Sequence, residues 1–456
     1  MIIAFFEGMV FLRTLLDFYN WANGKKIDVI GIGVSNLPLI KKLAEVGAKV
    51  TAHDRRESIL EEKELLDLGV KLVLGENYLS DIEGEMVFKT PGLRFDVPEL
   101  LEAKERGAKI TSEMELFFEV CPAHIFAVTG SDGKTTTTTL IYKMLKEQGK
   151  NVYVGGNIGN PLLCEADKMT EDDFVVLELS SFQLHTMTKS PERALITNIS
   201  PNHLDMHKSY EEYIDAKCNI YKFQKSGDLL VLNADNEVTG KIAEENTSKT
   251  FSRQKTADVY LKENVIYKEN EEILNTNDIK VPGIHNVENF MAAILMVGDI
   301  VDKSRIRRVA REFGGVEHRI ELVRELDGVK FYNSSIDSSP NRTVNTLNVF
   351  KKPVILIAGG KDKGIPYDEL GPSLETKVKA LILIGATSDK IEAVLKKTGK
   401  DIPVIKPESY EEAVKKAKEI AKEGDVVLLS PASTSFDRFK NFEERGRLFK
   451  TLVNEL

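Results

Sequence analysis

Cysteine is scarce in this chain. Cys121, Cys164 and Cys218 are scattered, odd in number and form no Cys-x-x-Cys pair. That excludes a disulfide framework and a cysteine-held structural zinc, and it fits a reducing compartment. An excess of positive charge is also missing. The net charge is −9, whereas general nucleic-acid binding needs a basic surface to neutralise phosphates. No apolar run reaches membrane-spanning length, and there is no short repeat or low-complexity tract. The opening Met1-Ile2-Ile3-Ala4-Phe5-Phe6 is apolar but lacks a basic flank, and Glu7, Arg13 and Asp17 interrupt it. It reads as a helix packing on the first domain and not as a signal peptide. A cytoplasmic protein without nucleic-acid or membrane partners is expected.

What is present is an alternation of strand and helix patterns over 456 residues, 42% hydrophobic and 29% charged. The pattern predicts α/β layers with mostly parallel sheets. Three strand–loop units divide the chain into expected domains of residues 1–112, 113–315 and 316–456. The strongest unit is Thr129-Gly130-Ser131-Asp132-Gly133-Lys134-Thr135, directly after Ile125-Phe126-Ala127-Val128 and before a helical stretch that opens with Thr136. Backbone N–H groups in such a loop hold phosphate oxygens, Lys134 reaches the β- and γ-phosphates, and Thr135 ligates Mg2+. Only two residues separate its glycines, against four in the common form of the motif.

Upstream, Gly31 and Gly33 lie in the strand–loop unit Lys26 to Val34, and Asp54 ends a second strand. This suits a pyrophosphate turn with an acidic residue for a ribose or base. The third glycine of that fingerprint is missing, because position 36 is Asn. Thr90-Pro91-Gly92 is a further loop at a strand end. Glu178 closes the hydrophobic strand Phe174 to Leu177, a place for a Mg2+ carboxylate. His203 reads equally well as a ligand or a structural residue, and spacing alone does not single out Lys217 on its amphipathic helix. Asn286 and Asn289 share a helix face and suit either a purine edge or a cap with a surface amide. His318-Arg319 suits a phosphate or an interdomain ion pair. The stretch Ser430 to Gly446, rich in hydroxyls after a strand, suits a carboxylate-bearing substrate or a plain turn.

Taken in order, the phosphate loop, Gly155-Gly-Asn-Ile-Gly159, Glu178-Leu-Ser-Ser-Phe-Gln183, Asn202-His-Leu-Asp205, Tyr213-Ile-Asp-Ala-Lys217, Gly283-Ile-His-Asn-Val-Glu-Asn289 and His318-Arg319 resemble the Mur ligases, ATP-dependent amide-forming enzymes of peptidoglycan precursor synthesis. The Ser430–Gly446 stretch resembles that of the D-glutamate-adding members. The resemblance implies a Rossmann-like sugar-nucleotide domain, a central ATPase domain and a Rossmann-like amino-acid domain. It implies a monomer acting on ATP, UDP-N-acetylmuramoyl-L-alanine and D-glutamate with two Mg2+.

The roles it implies are as follows. Gly130 through Thr136, with Asn286, Asn289, His318 and Arg319, hold ATP. Thr135, Glu178, His203 and Lys217 serve the metals, Lys217 as an N6-carboxylated lysine. Lys134, His203 and Lys217 are catalytic. Gly31, Gly33, Val34, Ser35, Asp54, Arg56, Thr90, Pro91, Gly92 and Asn157 hold the UDP substrate, and Lys363, Ser435, Phe436 and Phe442 hold D-glutamate. The family's usual Asn-Asp-Ser here reads Asn333-Ser334-Ser335, and Ile336 stands where some relatives have lysine. Asp337 is the expected substitute in the nucleotide contact if the loop bends. Another ligase of the superfamily, such as folylpolyglutamate synthase, and a non-catalytic nucleotide sensor are the alternatives.

Overall fold

A computed structural model describes residues 13–201, 206–362 and 364–456. His203, Lys363 and the apolar opening Met1 to Phe6 lie outside the described residues. The chain packs as two compact units. One runs up to Leu274 and takes in Glu288–Ile306; the other combines Asn275–Val287 with Arg307–Leu456.

The first unit contains two sheets. Strands β1 (Lys26–Ile30), β2 (Lys49–Asp54), β3 (Lys71–Leu74), β4 (Met86–Lys89) and β5 (Lys109–Thr111) form a parallel sheet in the order β3-β2-β1-β4-β5. The chain leaves β1 in one direction and returns on its other side at β4. The carboxyl ends of β1 and β4 therefore flank the crevice where ligands of open α/β sheets sit. β1 and β4 are almost wholly buried, as strands covered on both faces must be. Phe18, on the helix Leu15–Ala22, packs edge-on against Phe88 of β4. Thr14 and Asp17 cap that helix reciprocally.

The second sheet uses β6 (His124–Thr129), β7 (Val152–Gly156), β8 (Phe174–Glu178), β9 (Arg193–Ile196), β10 (Leu229–Asn233), β11 (Lys249–Ser252), β12 (Val259–Lys262), β13 (Val265–Lys268) and β14 (Glu271–Asn275). Its order is β14-β13-β12-β11-β10-β9-β6-β8-β7, with β6 between β8 and β9. The loops after these three strands thus meet at one place. The β12–β13 hairpin and β14 finish the sheet at one edge.

The second unit holds β15 (Glu321–Leu326), β16 (Val329–Asn333), β17 (Val354–Ala358), β18 (Val378–Leu383), β19 (Val404–Ile405) and β20 (Val426–Leu429), in the order β15-β16-β20-β17-β18-β19. β15 and β16 pair antiparallel; β16–β20, β20–β17, β17–β18 and β18–β19 pair parallel. The α/β class with parallel sheets read from the sequence is what the structure has.

Candidate active site

The phosphate loop begins where β6 ends. Gly130 has φ 147° and Gly133 φ 77°, both in the left-handed region that favours glycine. A side chain at Gly130 would run into the Thr197 hydroxyl, and one at Gly133 would lie 2.5 Å from Asn289 Oδ1. The loop after β9 holds the phosphate loop in place. Ser131 N–H donates to Asn198 O (2.9 Å), Asp132 N–H to Asn198 Oδ1 (3.0 Å) and Thr197 Oγ1 to Asp132 O (2.6 Å). Lys134, at the start of the helix Lys134–Glu147, turns its ammonium back onto Gly130 O (3.0 Å) and Ser131 O (2.9 Å). The Gly130→Ala variant is expected to lose about 1–3 kcal/mol from backbone strain alone, with more from the Thr197 clash. Urea unfolding at constant m checks this; a wild-type midpoint would refute it.

Beside this loop lie Glu178 and Lys217, both almost fully buried. Glu178 Oε1 accepts from Asn157 Nδ2 at 2.9 Å. Its Oε2 is buried and accepts no hydrogen bond among the described residues. An orphaned carboxylate oxygen next to a phosphate loop is a donor suited to a hard cation such as Mg2+, and Thr135 opens the same helix. Lys217 sits on the helix Tyr210–Cys218. Its ammonium donates to Gly130 O at 2.8 Å, reaches Thr129 Oγ1 at 3.4 Å and lies 4.7 Å from the Tyr213 ring centroid. The Tyr213 hydroxyl bonds Ser131 Oγ at 2.9 Å. Burial, and secondarily the charge of Lys134, pull the Lys217 amine down to about 7, against the opposing pull of Glu178 and Asp132. Spacing gave no reason to single out this lysine; burial beside the phosphate loop does.

At the carboxyl end of β1, Gly31 has φ 89° and its Cβ would lie 2.8 Å from Thr90 Cβ, so the β1 and β4 loops touch. Asp54 accepts from Ile32 N–H (2.8 Å), Arg56 N–H (3.0 Å) and Arg56 Nε (2.9 Å), and Arg56 Nη2 donates to Ile32 O (2.7 Å). Gly33 and Val34 stand exposed above this frame, with Ser35 at the start of the next helix. Asn36, in the place of the missing third glycine, is buried and donates to Ile30 O (3.1 Å) and Gly31 O (3.0 Å). It tightens the turn with a side chain, a role the motif reading missed. Asn289 is likewise buried, and its Oδ1 accepts from Thr137 Oγ1 at 3.2 Å.

In the second unit, Asn286 is buried and donates to Pro282 O at 2.6 Å. Neither asparagine is the surface amide that the sequence left open. The loops after β16 and β20 are joined. Arg445, wholly buried, donates from Nε to Ser335 Oγ (2.9 Å), from Nη2 to Ser335 O (2.7 Å) and from Nη1 to Ser433 O (3.0 Å). His318 packs edge-on to Phe442 and accepts from Asn333 Nδ2 at 2.9 Å on Nδ1, which puts its proton on Nε2. His318 and Ile320 both have positive φ, so Arg319 is held between two left-handed residues. Ser435 is buried and Phe436 is exposed.

Asp337 is tied into the second unit. Its carboxylate is 5% exposed and turned inward, and Oδ2 accepts from Thr346 Oγ1 (2.7 Å) and Ser430 Oγ (2.7 Å). Burial raises its pKa against these hydroxyl bonds. One hydroxyl comes from the helix that follows the β16 loop and the other from the loop after β20, 93 residues on, so the carboxylate pins the two loops together.

Mostly parallel sheets, a phosphate loop with a buried lysine behind it and an orphaned carboxylate define a nucleotide-dependent α/β enzyme. The family model for the Mur ligase middle domain matches residues 128–297, and that for the Mur ligase glutamate ligase domain matches residues 318–433. The chain belongs to the Mur ligase family. It is 55% identical to the UDP-N-acetylmuramoylalanine--D-glutamate ligase of Acetivibrio thermocellus, over 97% of this chain and 99% of that one. It is 54% identical to the enzyme of the same name from Ruminiclostridium cellulolyticum, with the same coverage. Its fold is similar to that of UDP-N-acetylmuramate-alanine ligase from Thermotoga maritima (TM-score 0.57, 22% identity, 94% of this chain and 99% of that chain). It is also similar to UDP-N-acetylmuramoyl-L-alanyl-D-glutamate--2,6-diaminopimelate ligase (TM-score 0.55, 19% identity, 95% and 93%). No helix among the described residues is long and apolar enough to cross a membrane.

Proposed function

We propose that this chain is an ADP-forming ligase that joins D-glutamate to UDP-N-acetylmuramoyl-L-alanine, as a cytoplasmic monomer in peptidoglycan precursor synthesis. The observation that carries the reading is the convergence of Lys134 and Lys217 on Gly130 O beside the unsatisfied oxygen of Glu178. Residues 1–112 hold the sugar nucleotide through Gly31 to Ser35, Asp54, Arg56 and Thr90 to Gly92. Residues 113–315 hold ATP through Gly130 to Thr136, with Asn289 bracing Gly133. Residues 316–456 receive D-glutamate near Ser435, Phe436, Phe442 and Lys363. Asn286, His318 and Arg319 complete the nucleotide contacts.

The alanyl carboxylate attacks the γ-phosphorus of ATP. An O–P bond forms, the bridging P–O bond breaks and ADP leaves, giving an acyl phosphate. Lys134 turns from the loop carbonyls to the phosphoryl oxygens and stabilises their charge. Asn157 holds the Glu178 carboxylate in place, and the D-glutamate amine then attacks the acyl carbon. Phosphate leaves from the tetrahedral intermediate and the ammonium proton passes to solvent. Thr135, Glu178 and His203 would hold Mg2+, which when bound neutralises phosphate charge. Lys217, as the free amine, would add CO2 with loss of one proton. The resulting carbamate is an anion able to support that metal.

The test is ADP and amide formation from ATP, Mg2+ and UDP-N-acetylmuramoyl-L-alanine with D-glutamate against L-glutamate. One ADP per amide with the D-isomer only is expected. Neither product from the complete mixture would refute the reading.

A further inference from the structure

The loop that follows β4 carries Thr90-Pro91-Gly92 and then Arg94, whose guanidinium uses all five of its N–H groups. Nε donates to Asp96 Oδ1 (2.8 Å), and Nη2 donates to Asp96 Oδ2 (3.0 Å) and Glu212 Oε1 (2.9 Å). Nη1 donates to Met206 O (3.0 Å) and Glu212 Oε2 (3.2 Å). Lys208 closes the ring from the other side, with Nζ on Asp96 Oδ2 and its N–H on Glu212 Oε2, both at 2.5 Å. The three partners are about three-quarters buried, at 24%, 23% and 21% exposure for Arg94, Asp96 and Glu212. This is therefore not an ordinary solvated pair, which contributes little. Arg94 holds Glu212 down to about 2. Behind Glu212, the His185 and His207 rings lie 3.6 Å from its oxygens, and burial lowers both. The cluster is unsuited to a metal, because the guanidinium already occupies both carboxylate oxygens. Glu212 lies in the first turn of the helix whose last turn carries Lys217.

The geometry points to Arg94 as a positioning residue for ligation: it sets the β4 loop, and with it the acceptor carboxyl of the sugar nucleotide, against the helix that carries Lys217. The inference rests on the proposed role of Thr90 to Gly92. A carboxyl misplaced by about 1 Å loses on the order of 10²-fold in rate. Lysine keeps the charge but not the two-pronged fork.

The experiment uses the full-length enzyme and its R94A, R94K, E212A and R94A/E212A variants. R94A is expected to lower kcat about 10- to 100-fold with an unchanged KM for ATP. R94K should recover little, and the double variant should be no worse than the poorer single one. Hydrogen exchange, read without substrate, is expected to rise at least about tenfold in residues 90–97 and 206–213 of R94A and not in the β16–β20 region. Near wild-type kcat, additive losses, or full recovery in R94K would overturn the inference. So would unchanged exchange, which decides the matter even if the wild-type protein forms no amide. That last failure would remove the ligase reading by itself.

Discussion

Lys134→Ala enzyme is expected to fold normally and to lose ligation by about 10³-fold or more, since one preorganised donor to developing charge contributes on the order of 10²–10³ and Lys134 carries a full charge. Its ammonium rests on Gly130 O and Ser131 O, poised at the loop where phosphoryl oxygens would arrive. No other lysine starts the helix Lys134–Glu147, and water cannot restore a positioned cation. Phosphate release at saturating substrates checks the loss, and circular dichroism checks the fold. Turnover within tenfold of wild type would remove the phosphate-loop reading. The variant has a second expected signature. Lys134 is one of the charges that depress the Lys217 amine. Its removal should raise that amine's pKa and shift the acid limb of the residual activity upward.

Lys217→Ala should lose about 10²-fold or more in kcat and regain part of it with added formate or acetate, small anions that fill the place of a carbamate. No rescue in a folded variant would count against the carbamate. The pH dependence has a definite sign. The folded-state pKa, about 7, is below the ordinary lysine value of 10.5. Above about pH 10.5 the amine is neutral in both states. Between about 7 and 10.5 the unfolded chain binds the extra proton, so stability rises with pH across that window. Below about 7 both states are charged, and the full cost of the buried ammonium, on the order of 5 kcal/mol, persists. Lys217→Met should therefore be more stable than wild type at pH 6 and nearly level at pH 10. Urea midpoints at the two values test this; an equal gap at both would refute it. Carboxylation needs the neutral amine, so dependence of activity on CO2 should appear as pH rises through about 7.

Much of the architecture was legible because local rules decide it. The run Ile125 to Val128 before Gly130 reads as a buried strand entering a glycine turn, and that is how β6 and the helix Lys134–Glu147 are built. The β1 crevice was legible in part. Glycine spacing located the turn, but only the fold shows that the Asn36 amide ties it to Ile30 and Gly31. Lys217 was picked out by the family resemblance but not by its own spacing, since its burial comes from elements nearly 90 residues away in sequence, Thr129 and Gly130. The Asp337–Ser430 bond was hidden for the same reason, since the two residues lie 93 positions apart. Arg445 drew no attention because an arginine in a charged helix start normally faces solvent.

The Arg445 side chain has a consequence for exchanging parts between relatives. Its three nitrogens each end on a hydroxyl or carbonyl of Ser335 or Ser433, so the two segments form a single transplantable block. A chimera that imports one without the other, or without the arginine, inherits a stranded cation in a dry interior. Swaps of amino-acid preference among these ligases should be cut outside residues 333–346 and 430–446, never between them.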